Sequence, residues 1–188
     1  IRGLTEAGRA RSKRDRPMGV ERGSPRKAAS SSPEPAGFAT IRPLMRRALV
    51  TGGSRGIGLA VARTLAAQGY EVVITYAHDP QGAQAAVAAA TADGLRISAE
   101  ACDAARLEDW QRLFARGTPL GDEGAQVLVH AAGFTRDKLL LTMPAPDWDE
   151  VLAVHLRGGY LAAQATMKGM IAARHGRIGH EPDLALDF

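Results

Sequence analysis

A short apolar strand that runs directly into a glycine-rich turn and a helix is the feature that most constrains this chain. Residues 48–58 read Ala-Leu-Val-Thr-Gly-Gly-Ser-Arg-Gly-Ile-Gly. Such a turn leaves backbone N–H groups unpaired at the positive end of a helix dipole, which favours a bound pyrophosphate. Glycine permits the turn and the close approach of the ligand, and Gly58 lets the helix lie close to the strand. An ordinary tight turn is the alternative, but the flanking strand and helix favour a dinucleotide site.

Strands and helices alternate along the rest of the chain. Near-continuous apolar strands in repeated β-α-β units predict a Rossmann-like, doubly wound parallel α/β sheet that is incomplete, with about 4–5 strands. Right-handed crossovers place the first strand centrally, with the glycine turn at its carboxyl edge. The predicted strands are 48–51, 71–76, 96–101, 126–130 and one starting at 177–178; the predicted helices are 56–68, 80–92 with Asp79 as N-cap, 107–116 and 147–173, the last closed by Gly176.

The basic charge of the chain is concentrated at its N-terminal end. Residues 1–47 hold twelve Lys and Arg against four Asp and Glu, whereas residues 48–188 hold twelve against sixteen. Residues 1–44 are rich in Arg, Ser, Pro and Gly without helical or strand periodicity, which predicts a disordered basic tail. A solvated tail is favoured over a nucleic-acid arm, a transit peptide or a docking segment. As an alternative, translation begins at Met45, and residues 1–44 result from a reading frame that was extended too far upstream.

Composition excludes several classes of protein. No apolar run approaches the roughly 20 residues that a membrane span requires, so no membrane partner is expected. The single cysteine, Cys102, excludes an internal disulfide and fits a reducing, cytoplasmic compartment. Five scattered histidines offer no ligand spacing, so no metal site is predicted. Because the basic charge lies in the tail, no nucleic-acid partner is expected for the globular part.

Several motifs resemble the short-chain dehydrogenase/reductase family. Residues 51–58 have its TGxxxGxG spacing, and His130-Ala131-Ala132-Gly133 stands where the family usually has Asn-Asn-Ala-Gly. Segments 133–140, 148–152 and 174–178 resemble the 3-oxoacyl-ACP reductase branch. The resemblance covers about residues 47–178. It implies an oxidoreductase that uses NADPH to reduce a β-ketoacyl thioester, on ACP or CoA, in fatty-acid or polyketide synthesis. It also implies a homo-oligomer if the domain is completed.

The resemblance further implies which residues bind NADP(H). Arg55 stands where members that prefer NADP keep a cation for the ribose 2′-phosphate, and the second strand ends without an acidic residue that would repel it; a solvated turn cation is the alternative. Asp103 would accept a hydrogen bond from the adenine amino group, or cap a turn. His130 is either a pH-sensitive catalytic group or, as we favour, a buried hydrogen-bonded histidine. The predicted cofactor-binding residues are Gly52, Ser54, Arg55, Gly56, Ile57, Gly58, Asp103, Ala132 and Gly133.

The proton-donating groups of the family are absent from this sequence. Ketone reduction needs a proton donor for the developing alkoxide, which the family supplies with a Ser and a Tyr-x-x-x-Lys pair. No serine follows Ser98, and the family's helix asparagine falls at His155 in a chain without asparagine. No tyrosine is followed four positions later by a lysine: the three tyrosines are Tyr70, Tyr76 and Tyr160, and the residues four positions later are Ile74, Pro80 and Gln164. His155 is therefore the sole catalytic candidate, and we predict that this chain is inactive.

These observations predict a three-part organisation. The disordered tail covers 1–44, a Rossmann domain matching the N-terminal part of the family covers 45–178, and an unrelated tail covers 179–188. The last segment indicates a truncated or frame-shifted reading of a longer reductase. A non-catalytic dinucleotide-binding remnant or subunit is the alternative function, and nucleic-acid binding through the basic tail is a third.

Overall fold

Residues 46–180 and 184–187 are described by the structure, a computed structural model. Their strands form one sheet in the order β3-β2-β1-β4-β5-β6, in which β1 to β5 are parallel and β6 is antiparallel to β5. The predicted tail over 1–44 lies outside the described residues. The strands are β1 (Arg47–Thr51), β2 (Glu71–Tyr76), β3 (Ile97–Ala101), β4 (Val127–His130), β5 (Arg177–His180) and β6 (Leu184–Asp187).

Helices connect the parallel strands. Asp79 caps α2 by accepting a 2.8 Å hydrogen bond from the Gly82 N–H, as the sequence predicts. The helices are α1 (Gly56–Ala67), α2 (Pro80–Ala92), α3 (Leu107–Leu113), α4 (Pro119–Glu123), α5 (Ala145–Leu152) and α6 (Gly158–Ala173), with a π-helical segment (Ala153–Arg157) that joins α5 to α6 and a short 3-10 turn (Leu140–Thr142).

Each face of the sheet is covered by helices, which confirms the predicted doubly wound fold. Alternate residues of β1 point to opposite faces, so Leu49 packs in one core and Val50 in the other. The Leu49 core includes the fully buried Trp110 of α3 and residues of α6, whereas the Val50 core includes alanines of α1 and α2. Because both faces are buried, none of the residues of β1 is exposed, and its three central residues are apolar.

The strand order reverses direction between β1 and β4. From β1 the chain runs to β2 and β3 on one side and then crosses to β4 and β5 on the other. Loops that follow β1 and β4 therefore diverge and leave a crevice at the carboxyl edge of the sheet. The glycine turn lies at this crevice, as the sequence predicts.

The antiparallel strand β6 is a difference from the sequence prediction. Residues 179–188 were expected to be an unrelated tail beyond the sheet, but residues 179–180 continue β5 and Leu184–Asp187 pair with it. In the part of the chain that the structure describes, the predicted 4–5 strands are thus five parallel strands plus one antiparallel strand. A four-residue strand carries too little periodicity to be recognised, and an antiparallel neighbour needs only a short connection.

The helical predictions need two corrections. The predicted helix over 107–116 ends at Leu113, and α4 follows after Thr118, whose hydroxyl accepts a 3.0 Å hydrogen bond from the Gly121 N–H. The predicted helix over 147–173 is interrupted by the π-helical segment and ends with Arg174 in the left-handed conformation (φ 50°) rather than at Gly176. Gly176 instead lacks a Cβ because the Met170 side chain occupies that space.

Candidate functional site

The glycine turn after β1 packs so tightly that a Cβ would clash at Gly52, Gly53 and Gly58. Gly52 has a φ of 63°, and a Cβ there would lie 2.8 Å from the carbonyl oxygen of Ala131. A Cβ on Gly58 would lie 2.5 Å from the carbonyl oxygen of Gly52, so α1 can approach the turn only with glycine at this position. Gly56 has a φ of 54° with open space around it, so its glycine serves the backbone conformation. The turn therefore has the shape that the sequence predicts.

Helix α1 begins directly at this turn. Arg55 is its N-cap in an extended conformation, and the first turn of the helix contains no acidic side chain. The N-terminal N–H groups of this 12-residue helix thus present positive potential without a carboxylate that would neutralise it. Arg55 is exposed beside these groups. An anion placed at the turn would meet both the helix terminus and a guanidinium group.

One cleft of about 770 Å³ is lined by every residue that the sequence predicts to bind the cofactor. Its walls are the glycine turn, the ends of β2 and β3, the loop after β4 and the π-helical segment. A volume of this size lies in the range of small-molecule and cofactor sites. The nine predicted residues that line it are Gly52, Ser54, Arg55, Gly56, Ile57, Gly58, Asp103, Ala132 and Gly133. Their role as cofactor ligands stays a prediction.

Asp103 lies at the cleft and also organises the loop that follows β3. Its Oδ1 accepts a 3.0 Å hydrogen bond from the Ala105 N–H, which confirms the turn-cap interpretation. Its own N–H donates to Oδ2 of Asp109 at 2.8 Å. These bonds hold the Asp103 carboxylate at the end of β3, beside the cleft. The contact with an adenine amino group stays a prediction.

Cys102 lies in the wall of the same cleft but is almost entirely buried. Burial disfavours the thiolate, and the Asp109 carboxylate disfavours it further, so the pKa of Cys102 is raised to about 12. The thiol is therefore protonated at neutral pH and is a poor nucleophile. It contributes to packing rather than to chemistry.

His130, at the end of β4, is a buried hydrogen-bonded histidine, which confirms the favoured interpretation. It is 2% exposed, and its Nδ1 lies 2.9 Å from the hydroxyl oxygen of Thr51. Its Nε2 lies 3.2 Å from the carbonyl oxygen of Val154, to which it donates. The Thr51 hydroxyl oxygen also accepts hydrogen bonds from the N–H groups of Ala131 (3.1 Å) and Ala132 (3.0 Å). The first two residues of the loop after β4 are therefore fixed to β1.

His155, which stands at the family's asparagine position, contacts the same loop from the π-helical segment. Its Nε2 lies 3.2 Å from the nitrogen and 3.0 Å from the carbonyl oxygen of Phe134. One ring nitrogen either accepts from the N–H or donates to the carbonyl, so the two contacts belong to different tautomers. The ring fills the space where a Cβ of Gly133 would be, which explains glycine at this position. A catalytic role for His155 stays a prediction.

Sequence reasoning missed the wall of the cleft formed by Phe134, Arg136 and Glu150. The Arg136 guanidinium donates to Glu150 Oε2 at 2.8 Å and lies 4.8 Å from the centre of the Phe134 ring. The hydrogen bond and charge of Glu150 raise the pKa of Arg136 above its ordinary value. This pair spans 14 residues and joins a loop to α5, so no local pattern in the sequence marks it. Its only signal was its position inside motifs used for the family resemblance.

The part of the chain that the structure describes contains no metal-binding cluster and no membrane-spanning helix. Within residues 46–180 and 184–187, no group of three or more His, Cys, Asp or Glu side chains could hold a metal ion. Within the same residues, the helices are too short or too polar to cross a membrane. Tyr160 is 60% exposed, and its hydroxyl oxygen accepts a 2.9 Å hydrogen bond from Gln164 rather than facing a lysine.

Comparison with known proteins places this geometry in one family. The profile of the short chain dehydrogenase family matches residues 46–178. A 3-oxoacyl-[acyl-carrier-protein] reductase from Synechocystis is 41% identical over 131 residues, covering 70% of this chain and 53% of that protein. The corresponding Escherichia coli reductase is 39% identical over 132 residues, covering 70% of this chain and 52% of that protein. The chain thus spans about half the length of these relatives.

Solved structures lead to the same family. A short chain dehydrogenase from Burkholderia cenocepacia, determined in complex with NADP, is 40% identical with a TM-score of 0.62, and the match covers 73% of this chain and 55% of that one. A dehydrogenase/reductase from Sinorhizobium meliloti is 35% identical with a TM-score of 0.62, covering 72% and 52%. The fold, the glycine turn and these matches agree, and the chain belongs to the short chain dehydrogenase family.

Proposed function

We propose that this chain is the dinucleotide-binding part of an NADP(H)-dependent oxidoreductase that acts on 3-oxoacyl thioesters. The observation that carries the proposal is the convergence of all nine nominated residues on one cleft at the strand-order reversal. Cofactors of open α/β sheets bind at this place because loops diverge there and a helix terminus faces the ligand. The 3-oxoacyl-[acyl-carrier-protein] reductases that this chain resembles supply the substrate class.

The shape and charge of the cleft fit a phosphorylated dinucleotide. The glycine turn leaves space that a Cβ would fill, so the pyrophosphate can approach the N–H groups of α1. Arg55 would bind the 2′-phosphate, because its guanidinium can make paired hydrogen bonds to phosphate oxygens. Asp103 would contact the adenine, and Ala132 and Gly133 would pass beside the nicotinamide. When bound, NADPH supplies the hydride for carbonyl reduction.

The chain's own residues determine what it can do with that cofactor. They bind and orient a dinucleotide, but the sequence has no Tyr-x-x-x-Lys pair and no serine after Ser98 to stabilise an alkoxide. His155 is the polar side chain of the π-helical segment that contacts the loop beside the nicotinamide region, through Phe134. We infer that the 188-residue chain binds NADP(H) without reducing a ketone. A non-catalytic dinucleotide-binding subunit is therefore the second candidate function, and the same missing residues favour it.

Two measurements on the purified chain test these functions. Calorimetry with NADPH and NADH tests the cleft, and we expect binding with a preference for NADPH. Loss of NADPH absorbance with an acetoacetyl thioester tests the reductase, and we expect none. Turnover would exclude the non-catalytic subunit and show that other residues of the chain supply the proton, whereas binding without turnover is the result expected of this chain under either function. Folded protein that binds neither dinucleotide refutes the proposal.

A further inference from the structure

His130 occupies a position from which it can couple two walls of the cleft. The loop after β4, residues 131–134, forms one wall, and the π-helical segment forms the next. His130 is hydrogen-bonded toward both walls. Its Nδ1 bonds to the Thr51 hydroxyl, which in turn accepts from the N–H groups of Ala131 and Ala132 in the loop. Its Nε2 bonds to the carbonyl oxygen of Val154 in the π-helical segment. The histidine is 2% exposed, so these bonds are made away from solvent.

The partners of His130 determine which ring nitrogen carries the proton. A carbonyl oxygen only accepts, so the contact with Val154 requires a proton on Nε2. The Thr51 hydroxyl oxygen already accepts from two backbone N–H groups, and its own proton is then directed to Nδ1. A neutral ring protonated at Nε2 satisfies every one of these bonds at once. In the opposite tautomer, protonated at Nδ1, the unprotonated Nε2 and the Val154 carbonyl oxygen would both be acceptors and could not form a hydrogen bond.

The π-helical segment is the part of the long helix that needs such an anchor. The Gly158 N–H bonds to the carbonyl oxygen of Ala153, five residues earlier, and the next carbonyl, that of Val154, is the one that accepts from His130. The residue after that, His155, contacts Phe134. Consecutive residues of the segment are therefore tied to opposite ends of the loop 131–134. Interruptions of this kind are rare in helices and are often found at functional sites.

We propose that His130 is a positioning residue that, as the Nε2-protonated tautomer, fixes the spacing between the loop 131–134 and the π-helical segment. The consequence for dinucleotide binding rests on the proposed function, since these two walls would then border the nicotinamide. A loop that is already held in the bound conformation loses less freedom when the ligand binds. Removing the Nε2 bond should therefore weaken binding without removing any group that touches the cofactor.

Two substitutions separate the two bonds of His130. In His130→Asn, the side-chain amide can still meet Thr51 but is too short to reach Val154; in His130→Gln, the amide extends toward the place of Nε2. We expect His130→Asn to accelerate amide hydrogen exchange over residues 153–158 and to weaken NADPH binding about fivefold to tenfold, the effect of one lost buried hydrogen bond. His130→Gln should stay within about twofold of the unsubstituted chain.

Thr166→Ala provides the matched control. The Thr166 hydroxyl is buried on α6 and donates to the Ala162 carbonyl at 2.9 Å, outside the cleft. Its loss removes a buried hydrogen bond from α6, which continues the π-helical segment. A general loss of stability in this helix should therefore appear in Thr166→Ala as well as in His130→Asn. NADPH affinity should be unchanged in Thr166→Ala.

The tautomer is measured on the unsubstituted chain, by the nitrogen-15 shifts of the His130 ring. Protonation at Nε2 alone supports the proposal, and protonation at Nδ1 alone overturns it even if His130→Asn fails to fold. Wild-type exchange and affinity in a folded His130→Asn variant also overturn it. If the unsubstituted chain binds no NADPH, the proposed function fails, while the tautomer and the exchange rates still decide the role of His130.

Discussion

The carbonyl oxygen of Gly52 lies where any Cβ on Gly58 would be only 2.5 Å away. This contact joins the first residue of the glycine turn to the third residue of α1, so the helix rests directly on the turn. The direction of α1, and with it the direction of its N-terminal N–H groups, depends on the missing side chain. The same contact links the shape of the cleft to the stability of the domain.

Gly58→Ala should therefore damage both stability and dinucleotide binding. The Cβ would meet backbone atoms, which cannot rotate away as a flexible side chain could, so α1 would have to shift. We expect a loss of about 1–3 kcal/mol in the free energy of unfolding, the usual cost of overpacking, and a loss of NADPH binding. Denaturant titration and calorimetry measure the two effects.

Gly169→Ala is the control for that substitution. Gly169 also lies inside a helix, but a Cβ there would be 3.5 Å from the nearest atom, an ordinary contact. Alanine should be neutral there, or should stabilise α6 by up to about 1 kcal/mol because glycine disfavours helices. Equal behaviour of the two alanine variants would contradict the assigned role of Gly58.

Much of the fold could be predicted because its signals are local. The apolar runs of β1 and β2, the Asp79 cap and the glycine turn are each encoded within a few neighbouring residues, and the structure has them in place. The left-handed Arg174 and the strand β6 were not predicted. Arg174 adopts a conformation that favours glycine, and β6 is defined by its pairing with β5 rather than by its own four residues.

The same distinction explains what was predicted of the cleft. Its phosphate end follows from the glycine spacing, which a sequence displays directly. Its other end depends on the π-helical segment and on the contact between Arg136 and Glu150. A π-helical segment depends on how both its ends are held, and it has no sequence period of its own. The hydrogen bonds of His130 join residues 79 and 24 positions apart, so only the folded chain reveals them.

Arg55→Ala should change cofactor preference more than it changes binding in general. Arg55 is exposed at the N-cap of α1 and makes no side-chain cap hydrogen bond, so the helix should tolerate its loss. We expect NADPH affinity to fall about tenfold or more, because charge-assisted bonds to the 2′-phosphate are lost, while NADH affinity changes little. Equal losses for the two cofactors in calorimetry would remove Arg55 from this role.

Asp79 allows capping and charge to be tested separately. Its carboxylate caps α2 and also lies in the cleft that contains Arg55. Asp79→Ala should lower the free energy of unfolding by about 1 kcal/mol, the usual cost of a lost N-cap. Asp79→Ser keeps a cap and removes the negative charge, so we expect near-unchanged stability with tighter NADPH binding. Thermal denaturation that shows the serine variant as unstable as the alanine variant would contradict the capping role.

Cys102 offers a probe of the buried wall because it is the only cysteine of the chain. With its pKa raised to about 12, the native thiol should react with an aromatic disulfide reagent about a thousandfold more slowly at pH 8 than the thiol of the unfolded chain. The unfolded chain loses this proton at lower pH than the native protein does. The free energy of unfolding should therefore fall as the pH rises above the ordinary thiol value of 9.0, and Cys102→Ser should remove that part of the fall. Rapid labelling of native protein at pH 8 would show that the wall of the cleft is open to solvent.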